Sequence, residues 1–149
     1  MTEKIGLKYM DIRLNNEALI ACVVAQVVSK GPCTVARLTA LIPILLNEGF
    51  RNKIVKNAQL TERDCYKVGM EYKELLVPVM NSVIMLIEAK CLVLNNDGLS
   101  PIENTNNLCS RMDQSSKRLS CILADLDSVM RYFDGDTIEN NYKKLFICL

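Results

Sequence analysis

The sequence predicts a mainly α chain with one short β-hairpin, and three features carry that prediction. Apolar residues recur at three- and four-residue steps through long segments, the period of helices with a buried face. The densest of them, Asn15–Arg51, is two apolar helical segments divided by Gly31-Pro32. A single Asn96-Asp97-Gly98 turn stands between two brief apolar runs, which is a hairpin signature. A chain of 149 residues, half of them hydrophobic, buries roughly two-thirds of its unfolded surface, enough for a core without metal or disulfides.

Residues Met1–Arg13 are a short lead-in, whose Ile5, Leu7, Tyr9 and Ile12 suit an edge strand or an extended arm. Asn15 or Asn16 can cap the first helix, and Glu17 falls in its first turn, where the positive end of the helix dipole favours a carboxylate. From Ala18 to Val28 almost every residue is apolar, so this helix requires cover on nearly all sides. Lys30 and Gly31 stop it and Pro32 opens the second segment. That segment, about Thr34–Asn47, carries Pro43 inside. Either the helix kinks there, or it breaks at Ile42 and restarts at Pro43. In both cases LIPILLNEGFR is a kinked apolar element ending at Gly49.

Arg51–Arg63 is polar and basic and reads as a surface loop or short helix. Its Arg51, Lys53 and Lys56 are either a solvated face or a patch that binds a partner or phosphate. Thr61 caps the next helix, with Glu62 and Asp64 in its first turn. A stripe of Cys65, Val68, Tyr72, Leu75, Leu76 and Val79 comes next, and Pro78 is expected to divide this region. The second piece, Val79–Ala89, is expected to bury Val83, Ile84, Leu86 and Ile87. The runs Leu92–Leu94 and Leu99–Ile102 flank the turn, and Pro101, lacking an N–H, suits an edge. A helix leading directly into such a hairpin is the order of a winged helix, giving a winged-helix-like body over residues 1–103.

Residues 104–149 are expected to form a C-terminal helical extension within one compact unit. Glu103–Asn107 reads as a polar linker. Leu108–Phe133 is strongly amphipathic, with Leu119, Ile122, Leu123, Leu126, Val129, Met130 and Phe133 on one face. Asp134-Gly135-Asp136 ends it, and Thr137 caps a last segment, Ile138–Cys148. The apolar tail residues Leu145, Phe146, Ile147 and Leu149 dock either on their own domain or on a partner.

Composition excludes several function classes. A net charge of +1 gives no global basic field for nucleic acid. No apolar run approaches the ~20 residues that span a bilayer, and the first residues lack the apolar core of a signal peptide, so a cytoplasmic protein is expected. Seven cysteines contain no C-x2–4-C pair and the chain has no histidine, so the thiols read as small buried hydrophobes. Neither a phosphate-cradling glycine motif nor an imidazole base is available. Asp125/Asp127 and Asp134/Asp136 are spaced two apart, which on a helix points them different ways. Asp134-Gly135-Asp136 suits a turn better than a Mg²⁺ site. Catalysis, metal and cofactors are therefore not expected.

The asparagine-rich opening Asn15-Asn16-Glu17-Ala18, then Ile42-Pro43-Ile44-Leu45-Leu46-Asn47 with Arg51 four residues on, resembles the middle component of bacterial ABC-type three-component conflict systems. That family shows a Leu-Pro-Leu-Leu-Leu-His-x-x-x-Arg stretch. Asn47 stands here in place of the histidine, and Ile42 and Ile44 in place of leucines. The likeness covers Asn15–Arg51 well and the hairpin loosely. Members include the small accessory subunit of Lamassu-type anti-phage systems. The resemblance implies a non-catalytic subunit beside an SMC-like ABC ATPase and an effector nuclease, with DNA contact through the complex. Arg51 would match the family's arginine, and Arg51, Lys53, Lys56, Leu145, Phe146, Ile147 and Leu149 are the residues expected at partner surfaces. The alternative is a winged-helix DNA-binding transcriptional regulator. Such a protein presents a basic reading helix, whereas ALTALIPILL is nearly uncharged.

Overall fold

The computed structural model describes residues 17–96, 98–112 and 117–133. The lead-in, the Asn15/Asn16 cap, the Asp134–Asp136 turn, the Thr137 segment and the four tail residues lie outside them. The fold is mainly α with one antiparallel hairpin. Helix α1 spans residues 17–29, and α2 (Val35–Leu46), α3 (Glu48–Val55) and α4 (Glu62–Glu88) come after it. Strands β1 (Leu92–Asn95) and β2 (Gly98–Pro101) then lead into α5 (Glu103–Met112) and α6 (Lys117–Phe133).

The core forms around α1, as its composition demands. Ile20, Val23, Val24, Val27 and Val28 are buried together with Leu38, Leu41, Ile42, Ile44 and Leu45 of α2. Only one side of α1 is less covered, at Cys22, Gln26 and Ser29, and there Gln26 Nε2 donates to the Cys109 carbonyl of α5 at 3.3 Å. Helix α6 adds Leu119, Ile122, Leu126 and Val129 to the same core, packing against α2 and α3. Leu123 and Met130 sit at its margin, as the amphipathic pattern requires.

Of the two alternatives at Pro43 the continuous one holds: α2 runs through this buried proline, with Thr34 and Asn47 as its caps, and no break occurs at Ile42. Several other expectations need correcting. Gly49 lies inside α3 and ends nothing. Pro78 likewise does not divide its region: α4 is continuous over 27 residues. The carbonyl that loses its donor there belongs to Glu74, an exposed residue, so solvent can take the place of the missing N–H. Val83 and Leu86 are buried, but Ile84 is half exposed and Leu76 is also at the surface.

The expected linker Glu103–Asn107 is the first turn and a half of α5. Thr105, fully buried, accepts from the Ile102 N–H at 3.1 Å and donates to the Cys91 carbonyl, so its hydroxyl joins the helix start to the strand start. Thr61 caps α4 as expected, in a reciprocal capping box with Asp64.

The hairpin pairs Leu92 with Pro101 and Asn95 with Gly98. A third strand, one residue long, completes the sheet: Cys33 exchanges both backbone hydrogen bonds with Leu99, at 2.9 and 2.8 Å. Helix, bridge, helices, then a hairpin whose second strand pairs with the bridge follows the element order expected of a winged-helix-like body. Gly98 makes the close pairing possible. Its φ is +113°, and a Cβ there would stand 2.6 Å from the Cys33 carbonyl oxygen.

Candidate functional site

Two features stand out, the α2–α3 junction and the outer face of α4. The junction is built from Asn47 and Arg51, two positions of the stretch that carries the family resemblance. A helix end leaves its last carbonyls without partners, and α2 ends in the middle of the core. The Asn47 N–H serves the carbonyls of Pro43 and Ile44. The Asn47 side chain meanwhile accepts from the Phe50 N–H at 3.0 Å, capping α3, and its amide donates to Glu71 of α4 at 3.1 Å.

Arg51 completes the junction from α3. Its Nη1 donates to the Leu45 carbonyl at 2.6 Å, and its Nε to Asp125 of α6 at 2.8 Å. The Arg51 side chain is 6% exposed and Asp125 23%. A guanidinium fork suits this place because it neutralises the negative end of α2 and still reaches a carboxylate. The motif thus ties one helix junction to α4 through Asn47 and to α6 through Arg51.

This placement corrects the basic patch. Arg51 points inward and is engaged by two acceptors, so it is not part of an outer face. Lys53 is half-buried and pairs with Asp64 at 2.5 Å. That ammonium and the Thr61 N–H and hydroxyl hold the Asp64 carboxyl down to about 2. Lys56, at the C-terminal end of α3, is exposed. Leu145, Phe146, Ile147 and Leu149 lie outside the described residues. Asp125 and Asp127 do face different ways: Asp125 meets Arg51, and Asp127 meets Lys30 at the surface, 3.4 Å away.

The outer face of α4 escapes a reading that gives this helix a single buried stripe. Tyr66, Met70, Val77 and Ile84 are 43–65% exposed, on the side of the helix opposite Val68, Val79, Val83 and Leu86. The signal in the sequence is a second apolar stripe, with Met70, Val77 and Ile84 seven apart and Tyr66 four before Met70. The helix carries five carboxylates and three cations, all but Asp64 and Glu71 on exposed residues. Val93 and Leu94 on the hairpin are also exposed.

Other groups are dispersed. Among the described residues no three His, Cys, Asp or Glu side chains are placed to share a metal ion. Burial pushes the Cys22 thiol up, and Cys33 likewise, with Arg37 pulling the latter partly back. Two clefts beside the start of α1, of about 210 and 280 Å³, fall short of the roughly 300 Å³ at which small-molecule sites begin. No helix among the described residues is long and apolar enough to cross a membrane. Comparison with family models, with curated proteins and with solved structures finds no match.

Proposed function

We propose that this chain is a non-catalytic, cytoplasmic accessory subunit of an anti-phage defence complex, set between an SMC-like ABC ATPase and an effector nuclease. The observation that carries the reading is the outer face of α4. In a winged-helix arrangement this is the helix directly before the wing, where a DNA reader places cations that reach phosphates and base edges. Here the same position offers exposed Tyr66, Met70, Val77 and Ile84, and its exposed charges balance, Glu62, Glu74 and Glu88 against Arg63, Lys67 and Lys73. Such a surface suits protein and gives a phosphate backbone no net attraction. The resemblance over Asn15–Arg51 supplies the identity of the complex. The ATPase and nuclease would be met by Lys56, by the exposed hairpin residues Val93 and Leu94, and by the tail Leu145, Phe146, Ile147 and Leu149.

The wing-like hairpin favours the second reading, a DNA-binding regulator. Co-purification of the tagged chain with the products of its neighbouring genes separates the two. The accessory reading predicts capture of an ATPase and a nuclease, lost on deletion of Leu145–Leu149 together with Lys56→Glu. Tight binding of the isolated chain to duplex DNA, steeply weakened by salt, with no ATPase captured, supports the regulator instead.

A further inference from the structure

We infer that the outer face of α4 is a self-association surface, on which α4 of a second copy of this chain lies antiparallel. The stripe has the spacing of a coiled-coil face. Met70, Val77 and Ile84 repeat at seven residues, while Tyr66 and Met80 occupy the alternate position and leave Lys73 between them. Over 27 residues a helix extends about 40 Å at 1.5 Å per residue, long enough for three layers of such contacts.

Charge and burial choose the orientation and the occupant. The flank beside the stripe at Lys67, Glu74, Asn81 and Glu88 is exposed throughout. The opposite flank contains Gly69 and Val83, which are buried against the chain's own body. A parallel pair needs one flank of each kind in contact and would stack Lys73 on Lys73. An antiparallel pair brings the open flank against itself, and the other flank against itself at the exposed Leu76. With Val77 set against Met80 of the second copy, Met70 meets Ile87, Ile84 meets Lys73, and Lys67 meets Glu88. The two-fold axis makes that last contact twice, so the face is complementary to itself in charge. Arg63 and Tyr66, at the start of the stripe, extend past the end of the second α4 in this register.

The inference rests on α4 being a protein-binding face and not on the identity of the defence complex. Light scattering after gel filtration of the full chain is expected to give twice 16.8 kDa, and Val77→Glu to give a monomer with an unchanged far-UV spectrum. Lys67→Glu and Glu88→Lys each replace two attractions by two repulsions, and each should weaken the dimer about tenfold. An equimolar mixture of the two variants restores opposite charges at both contacts and should re-form a mixed dimer. A monomeric wild type overturns the inference, whether another segment of the chain or another subunit covers the face. So does a dimer indifferent to Val77→Glu, or a mixture no tighter than its parts. A monomer that still captures the ATPase defeats self-pairing alone, and a dimer that captures nothing defeats the complex alone.

Discussion

Arg51 decides how the stretch Asn15–Arg51 is understood, since a cation that reads as a surface contact in the sequence proves to be an internal tie. Removing it strands a partly buried Asp125 and the Leu45 carbonyl at once. Breaking such a pair from one side costs about 3 kcal/mol or more. Urea unfolding of Arg51→Ala should show a loss of that size at an unchanged slope. Arg51→Lys should recover little, because one ammonium cannot span both acceptors. A loss under about 1 kcal/mol would return Arg51 to the surface. Asp64 makes a second residue-scale prediction. Its carboxyl is lowered from 3.8 to about 2, so the folded state holds its charge more strongly than the unfolded chain. The resulting stability is complete well above pH 3.8 and is lost as the pH falls towards 2. Asp64→Asn should cost about 1 kcal/mol at pH 7, a typical cap contribution in a solvent-screened site, and almost nothing at pH 2. Equal losses at both pH values would mean that the charge is irrelevant. The two residues differ in legibility for a physical reason. Thr61 and Asp64 are readable because a capping box is local, whereas Arg51 meets Asp125 across 74 residues of sequence, which no local pattern encodes.

At the scale of elements, the hairpin depends on a close approach that the turn motif alone only half explains. Gly98 is needed for its φ and also because a Cβ there would lie 2.6 Å from the Cys33 carbonyl oxygen. Gly31, at φ +149°, has nothing within 4 Å of the place a Cβ would take. Gly98→Ala should therefore lower the melting temperature markedly, by the equivalent of at least about 2 kcal/mol, and Gly31→Ala by about 1. Equal effects would show that the Cys33–Leu99 bridge contributes little. Helix α4 shows why punctuation can mislead. A proline is a strong stop signal in sequence, yet where the orphaned carbonyl lies at an exposed residue, packing on either side carries the helix through. The converse holds at Glu103–Asn107, where polar residues hide a helix whose start is held by the buried Thr105 hydroxyl.

For the whole molecule, the helical class, the hairpin and the core of α1, α2 and α6 are legible because period and turn chemistry are written locally. The one-residue bridge at Cys33 and the two-sided apolar character of α4 are not, since both become visible only once the body is assembled. Pro43→Ala belongs to this scale. Pro43 is buried in the core, so the substitution should alter the melting temperature while leaving partner capture intact. Lost capture at unchanged stability would place the proline in an interface. The central claim is that the chain works by holding proteins together, through α4 to itself and through other surfaces to an ATPase and a nuclease. Native mass spectrometry of the tagged chain, co-expressed with its neighbouring gene products, tests this most directly. One assembly containing the ATPase, the nuclease and two copies of this chain is the expected result. A lone 16.8 kDa species, or one carrying only duplex DNA, would contradict it.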